Sequence, residues 1–231
     1  MYSYTYVSFS GTNKNFVNLS SLYQCEQDNS GSGSIYHYYG NKTLISTNIT
    51  KTRCYSSAGY YFGGSPVNIN YCCFISNDNH ESGFGCMDHE YTRDSFVKKS
   101  IFKNNSAKID GDSYSGLLTS FSSTVTVSEC VFLQNTANYV FSAYINSILT
   151  VINCTGDNLT ASSSSFGEVK TDQMKTDSFN ITFTHISLGE CEADPLSFEQ
   201  VLFVCKKKET LLYEGSYFFK FSVESLYHLT K

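Results

Sequence analysis

Apolar and polar residues alternate in short runs along this chain of 231 residues, and the runs recur at near-constant spacing. Three segments align without gaps, namely residues 71–77, 99–105 and 129–135. Each has a small residue at its second position, phenylalanine at its fourth and asparagine at its seventh. The phenylalanines are 28 and then 30 residues apart. The coincidence of spacing and residue type indicates a structural repeat.

The repeated segments predict short strands stacked into a solenoid. Alternation over five or six residues is typical of a half-buried strand. An asparagine that bonds nearby backbone and tolerates the left-handed conformation would end each strand. Stacked turns of chain bury an apolar face that a single short strand cannot, so equivalent residues form ladders about 4.8 Å apart. The predicted ladder residues are Cys72, Phe74, Asn77, Ser100, Phe102, Asn105, Cys130, Phe132, Asn135 and Cys154.

The fold class predicted from this pattern is an all-β parallel β-helix, and at about 25 residues per turn the 231-residue chain would make roughly nine coils. The β-helix is assigned to residues 1–194. A β-sandwich is the competing fold, but it is usually built from hairpins. The Asn-Gly hairpin dipeptide is absent, and Asp110-Gly111 is the one Asp-Gly pair. Residues 195–231 are predicted to be a C-terminal cap or tail, because Asp194-Pro195 resembles a helix start. That cap would be a short helix or an edge strand.

The Phe-x-x-Asn units resemble those of a known family. They occur at Phe74/Asn77, Phe102/Asn105 and Phe132/Asn135, with echoes of a Gly-Gly-Ala-Ile-like element at residues 62–65 and 114–118. On these motifs the chain is similar to the pectin-lyase-like right-handed β-helix superfamily, and within it to polymorphic membrane protein repeats. The resemblance covers about residues 65–160. It implies a right-handed solenoid that is surface-exposed or secreted and, as in several such proteins, acts in adhesion.

Charge and targeting signals narrow the classes of function. Charged residues make up 16% of the chain and the formal net charge is −5, which argues against a nucleic-acid partner. The N-terminus lacks the pattern of a signal peptide, and no apolar run approaches the length of a transmembrane helix. The chain is therefore either intracellular or part of a longer exported protein. The resemblance favours an extracellular or cell-surface location, without membrane insertion by this chain itself.

Catalytic chemistry has little support. Cleavage of acidic polysaccharides needs paired carboxylates, or calcium held by aspartates with a basic residue nearby. The candidates are Asp88, His89 and Glu90, then Asp110 and Asp112, then Asp172 and Asp177. Each carboxylate is more simply explained as a solvated turn residue, and His89 as an ordinary core or surface residue. The Asn-Thr-Asp and Gly-His-Gly signatures of polygalacturonase-type enzymes are absent, so the sequence predicts no catalytic, cofactor or metal site.

The nine cysteines leave their redox state open. No Cys-x-x-Cys pair occurs among them, so a zinc ribbon or thioredoxin-like site is unsupported. Buried free thiols acting as small hydrophobic residues are the favoured interpretation, with one or more disulfides as the alternative. The cysteines are Cys25, Cys54, Cys72, Cys73, Cys86, Cys130, Cys154, Cys191 and Cys205.

Seven asparagines begin an Asn-x-Ser/Thr sequon, a mild excess over chance. They are candidate glycosylation sites if the chain reaches a secretory compartment. The sequons begin at Asn18, Asn41, Asn48, Asn104, Asn153, Asn158 and Asn180.

The predicted function is that of a non-enzymatic surface or secreted β-helix repeat protein that binds glycans or host-cell proteins. It follows from the repeat, the aromatic and polar composition, and the lack of a catalytic constellation. One alternative is a pectin-lyase-like carbohydrate-active enzyme, which would need carboxylates to converge on one exposed sheet face. Another is a fragment of a longer surface protein without independent function.

Overall fold

The computed structural model describes residues 6–8, 14–32, 34–80, 85–109 and 116–175. The chain divides into two units, Met1–Cys191 and Glu192–Lys231, and all described residues belong to the first. The predicted boundary at residues 194/195 and the predicted cap at 195–231 therefore lie outside the described residues.

The described secondary structure consists of strands in four sheets, A to D. Sheet A contains β1 (Tyr6–Ser8), β5 (Tyr36–Tyr38), β9 (Tyr60–Gly63), β13 (Met87–Glu90), β17 (Gly116–Phe121), β20 (Tyr139–Tyr144) and β23 (Ala161–Ser164). Sheet B contains β2 (Lys14–Asn18), β6 (Asn41–Ile45), β10 (Val67–Asn70), β14 (Ser95–Lys98), β18 (Thr124–Ser128), β21 (Ile148–Ile152) and β24 (Glu168–Asp172). Sheet C contains β3 (Ser21–Tyr23), β7 (Asn48–Thr50), β11 (Cys73–Ile75), β15 (Ile101–Lys103), β19 (Val131–Leu133) and β22 (Thr155–Gly156). Sheet D contains β4 (Glu26–Ser32), β8 (Arg53–Ser56), β12 (Asp78–Asn79) and β16 (Ser106–Ala107).

The order of the sheets along the chain defines a repeating coil. The first four coils have one strand in each of sheets A, B, C and D, the fifth and sixth have strands in A, B and C, and the seventh has strands in A and B. Each strand pairs with the corresponding strand of the next coil. The described strands form seven such coils, and every named strand pair is parallel. The prediction of an all-β protein with stacked parallel strands is confirmed, and the arrangement is consistent with a parallel β-helix. The predicted total of roughly nine coils extends beyond the described residues.

Alternation along each strand separates the core from the surface. In β18, Val125 and Val127 are completely buried while Thr124 is exposed, and β21 repeats this with Leu149 and Val151. The phenylalanines of the repeat occupy one inner column, where the rings of Phe74, Phe102 and Phe132 are all fully buried. Their ring centroids are 5.0 and 4.7 Å apart at interplanar angles of 8° and 3°. The near-constant spacing in the sequence thus corresponds to one ring per coil.

The repeat asparagines form a hydrogen-bonded column at the corner after sheet C. Asn77 donates from its side chain and its backbone N–H to Oδ1 of Asn105, at 2.9 and 3.0 Å. Asn105 makes the same two bonds to Asn135, at 3.1 and 3.0 Å. The side-chain NH₂ groups also donate to strand carbonyls, as in Asn105 to Phe74 at 2.8 Å. The column therefore pairs buried polar groups that would otherwise be costly.

The repeat asparagine is not the left-handed residue of this corner, contrary to the prediction from the sequence. The left-handed residue at this corner is the one before the asparagine, with φ of 57° at Ser76, 54° at Asn104 and 53° at Gln134. In that conformation the N–H of the left-handed residue donates to a carbonyl of the next coil and so extends the hydrogen bonding of the sheet. One example is the Ser76 N–H, which donates to the Lys103 carbonyl at 2.9 Å. Each asparagine follows this residue and supplies hydrogen bonds instead of backbone strain.

The small residues of the repeat form a second polar column at the corner between sheets B and C. Cys72, Ser100, Cys130 and Cys154 are buried, and each donates from its side chain to the carbonyl two residues earlier. The thiol bonds are 3.3 to 3.4 Å long, and the Ser100 hydroxyl bond is 2.8 Å. The position therefore selects small side chains that also donate, which explains why cysteine and serine exchange there.

Candidate functional site

Two of the acidic candidates lie side by side on sheet A. Asp88 and Glu90 point outward from β13, whereas His89 between them points into the core. Asp172 is exposed at the end of β24. Asp110, Asp112 and Asp177 lie outside the described residues.

The carboxylate of Asp88 is occupied by neighbouring groups of the protein. The Ser57 hydroxyl donates to Oδ2, and the Gly85 N–H donates to Oδ1 at 2.9 Å. The residue is only 6% exposed, and burial raises its pKa to about 7 against the opposing effect of these hydrogen bonds. Asp88 is therefore not the solvated turn residue expected from the sequence: it anchors the backbone before β13 and presents little surface to a substrate.

Two histidines are buried in the interior of the first coils. His37 and His89 lie in one inner column on either side of Phe62, at 1% and 0% exposure. The Nε2 atom of His89 is hydrogen-bonded to the Tyr60 hydroxyl at 2.9 Å. Burial lowers the pKa of His37 to about 4 and that of His89 to about 3, with a smaller effect from the Lys42 charge. Both imidazoles are therefore neutral at neutral pH.

We expect these histidines to destabilise the fold in acid. The unfolded chain takes up their protons near pH 6.5, but the folded chain does so only near pH 4 and 3, so stability falls as the pH drops below 6.5. The slope between pH 6 and 4 should decrease in His89→Gln by about 1.4 kcal/mol per pH unit, one proton's contribution. Urea denaturation across this range measures the slope in both proteins. The contribution of Asp88 to the slope is the same in both proteins and cancels in the comparison. An unchanged slope would contradict the conclusion that His89 stays neutral in the folded protein down to about pH 3.

A row of aromatic side chains runs along one side of sheet A and its corner with sheet B. We name it the sheet A aromatic strip. Its members are Tyr38, Tyr39, Tyr91, Phe121 and Tyr144, with Glu90 among them. Glu90, Phe121 and Tyr144 occupy one outward column of successive coils, and Tyr39 and Tyr91 follow it at the corner.

The strip is partly open to solvent and internally packed. Tyr39 and Tyr91 are each 50% exposed. The ring of Tyr38 meets Tyr39 edge-on with centroids 4.6 Å apart, and Tyr91 meets Phe121 edge-on at 5.6 Å. Phe121 and Tyr144 continue the row at 5.5 Å. Such edge-on contacts restrict the positions of the aromatic faces.

Gly63 and Gly64 make room for the first part of the strip. A β-carbon at Gly63 would lie 2.3 Å from the Tyr38 ring, and one at Gly64 would lie 2.9 Å from the Tyr39 ring. Gly64 also has φ of 76°, a conformation that glycine adopts without strain. The pair belongs to the Gly-Gly-Ala-Ile-like element at residues 62–65. In the structure it leaves room for two tyrosines to lie against the next coil.

One acidic residue, Glu90, lies within the strip. Burial raises the pKa of Glu90 above its ordinary value. Burial also raises the pKa of the Tyr38 phenol, and the Glu90 charge adds to this effect. The raised pKa keeps the Tyr38 phenol protonated at neutral pH, so its hydroxyl can donate a hydrogen bond.

The sequon asparagines within the described residues lie at the surface. Asn48 is half-buried, and the remaining five are exposed: Asn18, Asn41, Asn104, Asn153 and Asn158. Asn180 lies outside the described residues. Attachment of a glycan at these positions remains a prediction.

The described part of the chain shows no group of three or more potential metal ligands, and it contains no helix long and apolar enough to cross a membrane. Comparison with protein-family models, curated proteins and solved structures finds no match for this chain. The described residues define the class as an all-β repeat protein with stacked parallel sheets.

Proposed function

We propose that this chain is a non-enzymatic, surface or secreted β-helix module that binds glycans through the sheet A aromatic strip. The solenoid would be right-handed, because crossover connections between parallel strands almost always are. It would belong with the pectin-lyase-like repeat proteins that the Phe-x-x-Asn units resemble. The location would be extracellular or at the cell surface, as part of a longer protein.

The observation that carries the proposal is the row of half-exposed rings beside one carboxylate. A sugar ring has an apolar face of C–H groups that stacks on an aromatic ring, and hydroxyls at its edge that bond to phenols and carboxylates. Successive coils of a solenoid lie about 4.8 Å apart, so an extended glycan can contact several coils at once. The rings are held by their neighbours, which reduces the entropy lost on binding.

Glycan binding should depend on the strip and not on other exposed rings. We expect Tyr39→Ala/Tyr91→Ala to weaken binding at least tenfold, about 1.4 kcal/mol. The matched control is Phe16→Ala/Phe96→Ala, which removes two exposed rings from sheet B and should leave affinity unchanged. A glycan array identifies ligands and calorimetry then compares the proteins. The proposal fails if the folded protein binds no glycan, or if both double variants lose affinity equally.

Carbohydrate cleavage is the second candidate, because Asp88 and Glu90 share one strand face and burial raises the pKa of both. A raised carboxyl pKa suits a general acid. Against it, both Asp88 oxygens already accept hydrogen bonds from the protein. Reducing-sugar release from the glycans that bind would support cleavage if it disappeared in Glu90→Gln. Binding without release would favour a binding module.

A further inference from the structure

Aromatic rings flank Glu90 within its own outward column on sheet A. Gly63 precedes Glu90 in this column and Phe121 follows it, one coil away on either side. Gly63 leaves its place open to the Tyr38 ring, because a β-carbon there would lie 2.3 Å from two atoms of that ring. The ring of Tyr38 therefore stands on one side of Glu90, and the ring of Phe121 stands on the other.

The corner column beside Glu90 supplies two further rings. Tyr91 follows Glu90 directly in the chain, and its ring meets that of Phe121. The Tyr39 ring lies over Gly64, whose N–H donates to the Glu90 carbonyl at 2.9 Å. We name the four rings around this residue the Glu90 aromatic frame, which consists of Tyr38, Tyr39, Tyr91 and Phe121.

The rings of the frame are set at right angles in pairs. Tyr38 meets Tyr39 at 90° with centroids 4.6 Å apart, and Tyr91 meets Phe121 at 84° and 5.6 Å. A flat ligand stacks on parallel rings, whereas perpendicular rings can turn their faces toward one space from different directions. The negative face of an aromatic ring attracts a cation, and several faces together form a cage for a compact one. This end of the strip therefore favours a compact cation over a flat group.

Glu90 adds an acidic group that no described cation balances. Two ion pairs occur among the described residues, Arg53–Asp78 and Lys170–Glu168, and neither includes Glu90. Burial raises the pKa of Glu90, and no positive charge of a described residue offsets this effect. A cation within about 4 to 6 Å favours the ionised form of a carboxyl group. A bound cation and the Glu90 carboxylate would therefore stabilise each other.

Metal ions and primary amines fit the frame less well than an alkylated ammonium group. Calcium takes about six to eight oxygen ligands, and the described residues contain no group of three or more potential metal ligands. A primary ammonium is strongly hydrated, and its three N–H donors need acceptors. A quaternary ammonium group has no N–H to satisfy, and it is the kind of cation that aromatic cages bind.

We propose that the Glu90 aromatic frame binds a quaternary ammonium group of the choline type, carried as a substituent on the glycan. The methyl groups lie against the ring faces of the frame, and Glu90 faces the positive charge. The inference rests on the proposed function, because the sugars continue along the strip from Phe121 to Tyr144, whose ring centroids are 5.5 Å apart. A glycan that bears this group therefore binds more tightly than the bare glycan.

Choline chloride is the probe for the frame, titrated into the full chain by calorimetry. We expect a dissociation constant of about 1 mM or lower. The uncharged isostere of choline, with carbon in place of nitrogen, should bind at least about tenfold more weakly, because it keeps the shape but loses the charge. Methylammonium, a primary ammonium ion, should also bind more weakly. The inference is wrong if choline shows no saturable binding, or if either of the other two compounds binds as tightly.

Two conservative variants test whether choline binds at Glu90. Glu90→Gln keeps the size of the side chain and should weaken choline binding about fivefold or more, because it removes the charge. Glu129→Gln removes an exposed carboxylate from the corner between sheets B and C and should leave the affinity unchanged. Equal affinities in the two variants would overturn the assignment of the cation site to the frame.

Two further ligands separate this inference from the proposed function. An oligosaccharide identified on the glycan array should bind at least about tenfold more tightly once it is coupled to choline. If the coupled and bare forms bind equally, glycan binding stands and the cation site is wrong. If free choline binds but no oligosaccharide does, the proposed function fails, and the glycan as carrier fails with it. Phosphatidylcholine vesicles should not bind, and binding to them in place of the coupled oligosaccharide would overturn the glycan as carrier.

Discussion

Asn105→Ala is expected to lower the free energy of unfolding by about 3 to 5 kcal/mol. The substitution removes four hydrogen bonds made by one side chain that is 1% exposed. It leaves the buried N–H of Asn77 and the carbonyl of Phe74 without their side-chain partners. Each buried group left unsatisfied costs about 1 to 3 kcal/mol, and the bonds of such a column reinforce one another.

The control for this change is Asn68→Ala, which removes an asparagine exposed on β10. A surface substitution of this kind changes stability by within about 0.5 kcal/mol. Urea denaturation followed by circular dichroism gives both values. If Asn105→Ala lost less than about 1 kcal/mol, the asparagine column would not be a main source of stability. Asn105→Asp is a useful third variant, since it keeps an acceptor but loses both donors.

The second large effect is expected for Phe102→Ala, again about 3 to 5 kcal/mol. Phe102 is fully buried between Phe74 and Phe132, with centroid distances of 5.0 and 4.7 Å. Loss of the ring opens a cavity inside the coil stack. The sheets hold the backbones of the adjacent coils in place, so neighbouring side chains can fill the cavity only in part. The rings on both sides also lose a stacking partner.

Phe96→Ala provides the matched control for the ring column. Its ring lies on the outer side of β14, is 38% exposed and contacts the Lys98 ammonium 4.6 Å from its centroid. We expect a loss of less than about 1 kcal/mol, because little apolar area leaves the interior. The same denaturation experiment compares both variants. Equal losses at the two positions would contradict the assignment of Phe102 to the core column.

The two columns were accessible from sequence because both depend on local patterns repeated at one spacing. Alternation predicted parallel strands, and the recurrence of phenylalanine and asparagine indicated which residues are equivalent between coils. The left-handed conformation belongs to the residue before each asparagine and not to the asparagine itself, so this prediction is wrong. The sequence does not mark that residue, because serine, asparagine and glutamine all occur there, at Ser76, Asn104 and Gln134.

The aromatic strip was not predicted. Its residues come from four coils and share no motif, so only the register that pairs Glu90 with Phe121, and Phe121 with Tyr144, brings them together. The one local signal was Gly63-Gly64, which follows Tyr38-Tyr39 by about one coil and admits their rings. The acidic cluster, in contrast, was visible as residues 88–90, but its alternation across β13 places His89 in the core and separates it from the two carboxylates.

The sequence by itself determined that this chain stacks short parallel strands and which side chains form its inner columns, because strand alternation and coil length are local and periodic properties. Only the tertiary structure decided which outward residues become neighbours and which are covered. Outward positions follow no periodic rule, so the exposure of Tyr39 depends on what lies in the adjacent coils. The exposed aromatic row was therefore hidden in a sequence that had already shown the scaffold.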